Sequence, residues 1–333
     1  MTGYWKISYE ETARSMKAIV NDMYGSADDL ELRELETPAA GPDGVLVRVR
    51  AAAVNPLDWR LMRGKPFIGR LFFGLGLRRP KRRVPGVDVA GRVEAVGENV
   101  TQLEPGDEVF GGTEGGAFAE FVRGTEKDFV PKPTDLTFEQ AAAISVAGVT
   151  ALQGLRDHGR LQSRQRVLIN GAGGGVGTFA VQIAKAFGAE VTGVCSTGKL
   201  ELVRSIGADH VVDYTAEDFT RNGQRYDVVL DVVGNRSLSD LRRVVTKKGT
   251  LVLGGGGSIV LLLRGLVVSP FVSQTLRPFI AKLNREDLLA LKELVEAGKL
   301  SPVIDRLYPL AEAAEAIRYL EAGHASGKVV ITV

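Results

Sequence analysis

The chemistry most plainly written in this chain lies in nine residues, Ile169-Asn170-Gly171-Ala172-Gly173-Gly174-Gly175-Val176-Gly177. An apolar run, Val167 to Ile169, stops at a cluster of glycines, and a helical pattern starts directly after it. This order predicts a buried strand turning sharply into a helix whose first N–H groups have no internal partner. The helix dipole adds partial positive charge at the same end. Glycine permits positive φ in the turn and lets a pyrophosphate approach the backbone without meeting a Cβ. Ala172, Gly174 and Gly177 match the G/A-x-G-x-x-G spacing of dinucleotide sites, with Gly173, Gly175 and Val176 between them as further cofactor-facing positions. A bare glycine match is weak evidence, so the surrounding elements must support it.

The choice of dinucleotide is made about 20 residues further on, where an NAD site carries an Asp or Glu that accepts from the ribose hydroxyls. Here the stretch reads Val194-Cys195-Ser196-Thr197-Gly198-Lys199, with no carboxylate before Glu201. A carboxylate would repel a 2′-phosphate, whereas two hydroxyls and an ammonium suit one. Ser196, Thr197 and Lys199 therefore point to NADPH. The alternative is that they merely cap the following helix.

The elements that must position these residues alternate in type. After the turn, Val176, Phe179, Ala180, Ile183, Ala184 and Phe187 fall on one helical face, and Gly188 closes the helix. Strand-like Glu190 to Cys195, helical Gly198 to Ser205, and strand-like His210 to Tyr214, Asp227 to Val232 and Thr250 to Leu253 follow. Such alternation predicts an α/β doubly wound parallel sheet with right-handed crossovers. Ahead of it, Thr137 and Gln140 have the spacing of a capping box.

The first half is β-rich. Leu30 to Leu35 alternates apolar and polar residues, and Val45 to Arg50 follows a turn from Gly41 to Gly44. Val84 to Val96, Gly106 to Phe110 and Ala117 to Val122 read as further short strands between Gly/Pro turns, the pattern of a small antiparallel barrel. Residues 1–15 show no period and read as an extension. The loop from Arg60 to Arg83 holds nine basic residues and no acidic one, around Phe67, Ile68, Leu71, Phe72, Phe73, Leu75 and Leu77. It is either a surface loop packing on the body or a contact with an anionic membrane surface or an apolar substrate tail. Its apolar residues are bunched rather than interleaved, which argues against nucleic acid.

Composition bounds the rest. A length of 333 residues suggests about two domains, and 44% hydrophobic with 25% charged residues is ordinary for a globular protein. The net charge of +2 is uninformative about partners. One cysteine, Cys195, rules out an internal disulfide, and His158, His210 and His324 lie too far apart in sequence to read as a metal cluster. The apolar stretch from Ser258 to Val272 is broken by Arg264, Gly265 and Pro270, so a bilayer span of about 20 residues is not predicted. With no secretory signal pattern either, a cytoplasmic location is the expectation.

Asn55-Pro56-Leu57-Asp58, Pro85 to Val93, Ala147 to Ala151, the glycine turn, Gly207-Ala208-Asp209 and Gly327-Lys328-Val329-Val330 together resemble the medium-chain dehydrogenase/reductase superfamily. The likeness is to its zinc-free quinone oxidoreductase branch, including the reticulon-4-interacting-protein-like oxidoreductases, and runs from about Met16 to Val333. It implies a GroES-like substrate domain from residues 16–140 and 304–333, with a Rossmann NADP-binding domain at 141–303 between them. It places Asn55 beside nicotinamide and substrate, Thr150 near the nicotinamide, and Ser196, Lys199 and Tyr214 around the 2′-phosphate. Gly254 and Gly255 would border the nicotinamide. Lys328 would either reach the cofactor or form a salt bridge. Asn55 and Asp58 are the candidate catalytic residues, the first donating to a developing oxyanion and the second orienting its neighbours. Zinc-dependent relatives carry Cys near Asn55 and Gly-His-Glu where Gly86-Val87-Asp88 stands, so no metal is expected.

The expected function is NADPH-dependent hydride transfer to quinones or activated enones and enals. Enoyl-thioester reduction is an enzymatic alternative. A non-catalytic NADPH-binding protein docking through residues 60–83 is an alternative of another class. The resemblance also implies a homodimer, and the apolar stretch after the fifth strand is read as a lid, a dimer contact or a buried helix.

Overall fold

The computed structural model describes residues 15–64, 79–254 and 259–333. Most of the predicted extension, residues 65–78 of the basic loop, and Gly255 lie outside the described residues. Two sheets dominate. The first is built on β3 (Gly44–Val54), whose alternate residues Val45, Val47 and Val49 are buried while Arg48 and Arg50 are exposed. Around it run β4 (Asp88–Val96), β5 (Glu108–Gly112) and β7 (Phe129–Pro131) on one side. On the other lie β15 (Lys328–Thr332) and β14 (Ile304–Pro309), and β6 (Phe121–Thr125) pairs with the first half of β3. β1 (Ser15–Val20) and β2 (Glu31–Glu36) form a separate antiparallel pair. Phe118 and Phe129 fill the barrel's interior with the β3 valines.

The second sheet is parallel throughout: β8 (Arg166–Asn170), β9 (Glu190–Cys195), β10 (His210–Asp213), β11 (Tyr226–Asp231), β12 (Val245–Leu253) and β13 (Thr275–Pro278), in the order β10-β9-β8-β11-β12-β13. The chain reverses direction across the sheet between β8 and β11, and the crevice at the carboxyl ends of these strands is where such folds bind ligands. Helix Gly175–Ala186 follows β8 and buries Phe179, Ala180, Ile183 and Ala184; each large apolar side chain so buried contributes about 1.5–3 kcal/mol. Gly188, at φ +78°, ends it. The Thr137 hydroxyl accepts from the Gln140 N–H and the Gln140 side chain accepts from the Thr137 N–H, completing the predicted capping box.

Several expected boundaries move. The strand expected over Ala117 to Val122 is Phe121–Thr125 instead. Ala117 and Phe118 spend their N–H groups on the carbonyls of Gly86 and Pro85, which makes this stretch a buried crossing rather than a sheet strand. The strand expected from Val84 starts at Asp88, because Gly86 turns at φ +95° and Pro85 has no N–H for a ladder. β3 runs on to Val54, β12 begins at Val245, and β1 includes Ser15. β13 was not anticipated; it is a four-residue edge strand carrying Arg277 and Pro278 and shows no alternation.

Candidate active site

A cleft of about 550 Å³ lies between barrel and parallel sheet. Its floor is the glycine turn. Gly171 sits at φ +92°, and a Cβ on Gly177 would lie 2.0 Å from the Gly171 carbonyl oxygen and 2.7 Å from the Ala172 Cα, so no larger residue fits there. Ala172 is buried, its N–H donating to the Val194 carbonyl, which ties the turn to the end of β9. Gly173, Gly174, Gly175, Val176 and Gly177 line the cleft, with the free N–H groups of helix Gly175–Ala186 at its floor. From the ends of β9 and β10 come Cys195, Ser196, Lys199 and Tyr214, the last 43% exposed and so no core aromatic.

The far wall comes from the C-terminal segment. Gly174 and Gly327 form a parallel β-bridge, and the Gly327 N–H donates to the Gly173 carbonyl at 3.1 Å. Lys199 Nζ donates to the Ala325 carbonyl at 2.5 Å, while Asp305 on the barrel side accepts from the Ser326 N–H at 3.0 Å. The segment is thus tied to both halves. Burial holds the Lys199 ammonium below its ordinary pKa, with Asp305 opposing.

The barrel face is a buried polar cluster. Lys328 Nζ donates to Asn55 Oδ1 at 2.6 Å and to Asp88 Oδ2 at 3.1 Å. Asn55 Nδ2 donates to the same Asp88 oxygen at 2.9 Å and to the Ala53 carbonyl at 3.3 Å. The other Asp88 oxygen accepts from the Val146 N–H at 2.9 Å. Lys328 packs against the glycine turn as well: a Cβ on Gly175 would lie 3.1 Å from its Cδ. Of the two readings made of Lys328, the salt bridge is present, to Asp88, and its side chain also lines the cleft.

The other predicted residues fall into two groups. Asn55, Gly173 to Gly177, Ser196, Lys199, Tyr214 and Lys328 all line the cleft. Thr150, Thr197, Gly254 and Asp58 do not. The Thr150 hydroxyl bonds back to the Val146 carbonyl at 2.6 Å, as a Thr inside a helix can. The Thr197 hydroxyl turns to Asp213 at 2.5 Å and to Thr215. Gly254 lies under the ring of Phe279. Asp58 is a capping residue, accepting the Asn55 N–H at 2.7 Å at the start of helix Pro56–Met62. Burial pushes its carboxyl up to about 7, the Asn55 N–H opposing and the charge of Asp88 adding. The oxyanion-donor role expected of Asn55 meets a geometric obstacle, because its amide N–H groups are already engaged by Asp88 and Ala53.

Sequence reasoning missed two parts of the lining. One is the loop after β11, with Val232, Val233 and Asn235. Asn170 Nδ2 donates to Asp231 Oδ1 at 2.8 Å and to Asn235 Oδ1 at 3.1 Å, pinning that loop beside the turn, and burial raises the Asp231 carboxyl. An Asn ending one strand and an Asp ending the next but two was the available signal. The other missed part is the segment 320–327 with Trp59 and Arg60, for which the sequence holds no motif beyond the glycines at 323 and 327.

A parallel sheet and a β-barrel meeting at a glycine-turn cleft define a nicotinamide-dependent oxidoreductase of the dehydrogenase type. Residues 41–134 match the family model of the alcohol dehydrogenase GroES-like domain, and residues 206–331 that of the zinc-binding dehydrogenases. The chain is 38% identical to 2-methylene-furan-3-one reductase of Solanum lycopersicum over 330 residues, 95% of this chain and 79% of that protein. It is 37% identical to the chloroplastic NADPH-dependent alkenal/one oxidoreductase of Arabidopsis thaliana, covering 96% and 80%. The quinone oxidoreductase structure from Coxiella burnetii superposes with a TM-score of 0.86 at 30% identity, covering 96% of this chain and 100% of that one. The chain belongs to the medium-chain dehydrogenase/reductase superfamily, in its zinc-free branch. The zinc in the second model's name does not suit the residues present. Asn55 offers an amide, Asp88 a carboxylate already tied to an ammonium, and among the described residues no group of three His, Cys, Asp or Glu is placed to hold a metal ion.

Proposed function

We propose that this chain reduces quinones or activated enones with NADPH. The observation that carries the cofactor choice is the end of β9, where Ser196, Lys199 and Tyr214 line the cleft and Lys199 has a carbonyl as its hydrogen-bond partner and no carboxylate in salt-bridge range among the described residues. A 2′-phosphate would replace that carbonyl with a charged acceptor, a stronger bond. The glycine turn and the helix start behind it suit the pyrophosphate. When bound, NADPH supplies the hydride. The chain's part is orientation: the barrel face at Asn55 and the strand ends of the parallel sheet hold donor and acceptor against each other and exclude water. Quinones and enones accept hydride without a strong general acid, which agrees with a cleft whose lining has one histidine, the exposed His324.

The names of the relatives support this substrate class, since one reduces alkenals and enones and another is a quinone oxidoreductase. The test is NADPH oxidation with 1,4-naphthoquinone and a 2-alkenal, beside titration with NADPH and NADH. Activity with at least one acceptor and tighter NADPH binding are expected; no turnover, or NADH preference, overturns the reading. A homodimer belongs to the same proposal. Leu266, Val267, Phe271 and Ile280 are all more than half exposed near the free edge of β13, a surface suited to a second copy. Sedimentation analysis tests it.

A further inference from the structure

The crevice where the parallel sheet changes direction is lined from two sides. Ser196, Lys199 and Tyr214 stand on the β9 and β10 side; Val233 and Asn235 stand on the β11 side, with Asn170 and the glycine turn between. A dinucleotide lies across such a switch point with its pyrophosphate on the helix N-terminus. With the adenosine half on the β9 side, the nicotinamide half runs over the end of β11. That placement rests on the function proposed above. The β11 side is tied down by its own backbone. The Val232 N–H donates to the Asn170 carbonyl at 3.3 Å, which carries the pairing of β8 and β11 past the strand end. Asp231 Oδ1 accepts from the N–H groups of Val233 and Gly234, at 3.2 and 3.1 Å, folding the chain back over its own strand. A Cβ on Gly171 would lie 2.5 Å from Val233 Cγ2, so this loop packs directly on the glycine turn.

The side chains here have a fixed sense. Asp231 Oδ1 takes two backbone N–H groups, which can only donate, so the Asn170 atom 2.8 Å from it is the amide nitrogen. The same nitrogen lies 3.1 Å from Asn235, and the Asn235 atom there is accordingly its oxygen. The Asn235 amide nitrogen is thereby turned away from Asn170, and it has no hydrogen-bond partner among the described residues. Asn235 is exposed and lines the cleft. An exposed Asn ordinarily exchanges its two amide ends among waters; this one presents its donor end in a set orientation.

We propose that Asn235 is a dinucleotide-binding residue whose amide N–H donates to a ribose hydroxyl on the nicotinamide half, and that Asn170 is the positioning residue that fixes its orientation. That ribose is the first group beyond the pyrophosphate on the β11 side, and Asn235 is pinned to the residue immediately before the glycine turn. A hydroxyl oxygen accepts from an amide N–H there. A donor already held in place loses little further freedom on binding. Gripping the sugar also limits the rotation of the ring that carries the hydride, which is how a residue remote from the acceptor helps to orient the transfer.

The experiment titrates the full chain with NADPH by fluorescence and with adenosine 2′,5′-bisphosphate, which lacks the nicotinamide half, by calorimetry. Asn235→Ala removes the donor and should weaken NADPH about three- to tenfold, the value of one hydrogen bond, while changing the bisphosphate less than twofold. Asn235→Asp keeps an oxygen for Asn170 but replaces the donor with a charge, and should weaken NADPH at least about tenfold. Because Asn235 is exposed, both variants should keep the unfolding midpoint of the parent chain. Asn170→Leu removes only the hold: it should weaken NADPH about two- to fivefold and add nothing when combined with Asn235→Ala, a non-additivity that general damage to the cleft would not produce. Unchanged NADPH affinity in Asn235→Ala, an equal loss for the bisphosphate, or full additivity of the two substitutions overturns the proposal. A parent chain that binds no NADPH would sink the cofactor reading and this role with it, whereas binding indifferent to residue 235 sinks the role alone.

Discussion

Two lysines line the dinucleotide cleft and are treated oppositely. Lys328, from the barrel side, is almost wholly buried and spends its ammonium on Asp88 and Asn55. Lys199, from the parallel sheet, is half-buried and meets only a backbone carbonyl. A buried charge paired with a buried opposite charge holds its neighbours in place, since removing one partner strands the other. A charge whose partner set is incomplete holds little in the empty protein and has the most to gain from an anion. The barrel wall is therefore built as a rigid reference, and under the function proposed above the end of β9 would be the part that reads the cofactor.

That contrast can be broken most directly at Lys328. Lys328→Met strands Asp88 in the interior and should cost about 3–5 kcal/mol in urea unfolding, whereas Lys199→Met should cost under about 1 kcal/mol. Equal losses would erase the distinction. Next in size is Gly177→Ala, whose Cβ must displace the Gly171 carbonyl. Overpacking of about 1–3 kcal/mol would appear as a roughly ten- to hundredfold rise in dinucleotide Kd. Lys199→Ala should then cost NADPH about tenfold in a fluorescence titration, the value of one hydrogen bond to a charged group, and leave NADH unchanged. A parallel loss for NADH would mean that Lys199 does not read the 2′-phosphate.

Asp58 supplies a pH-dependent test of the rigid wall. Its carboxyl is raised from 3.8 to about 7, so the folded chain binds more protons than the unfolded one between these values. This contribution to stability is fully present below about pH 4 and is lost as pH rises through about 7. Asp58→Asn should flatten the slope over that window; an unchanged slope would show that Asp58 ionises freely. The smallest effect is expected at Thr197→Ala, since the hydroxyl faces Asp213 rather than the cleft: less than a twofold change in NADPH Kd.

How much of this was legible in the sequence follows the same division. The parallel sheet and its turn were readable because strand, glycines and helix lie together in one stretch, 166–186, and because the steric demand at Gly177 is local. β13 escaped because an edge strand bearing Arg and Pro has no periodicity to see. The cluster of Asn55, Asp88 and Lys328 was visible only as separate motifs, for its members stand 33 and 273 residues apart and meet only when β3, β4 and β15 assemble. Thr197 shows the limit of residue type as evidence: a hydroxyl in the right place along the chain turned to a nearer carboxylate. Asp58 likewise looked chemical by its neighbourhood, and its backbone partner makes it a cap.

The stitching of segment 320–327 to the glycine turn has a consequence for how the protein is made. The turn, at residues 171–177, is synthesised well before its opposite wall at 320–327 and Lys328. A nascent chain can complete the parallel sheet first but cannot hold a dinucleotide between two walls until residues 320–328 have been made. The barrel itself waits too, since β15 must return to β3 across most of the chain, a separation that slows folding. Cofactor capture in this sense waits for residues 320–328, and a chain truncated before residue 320 would keep the fingerprint and lose the grip.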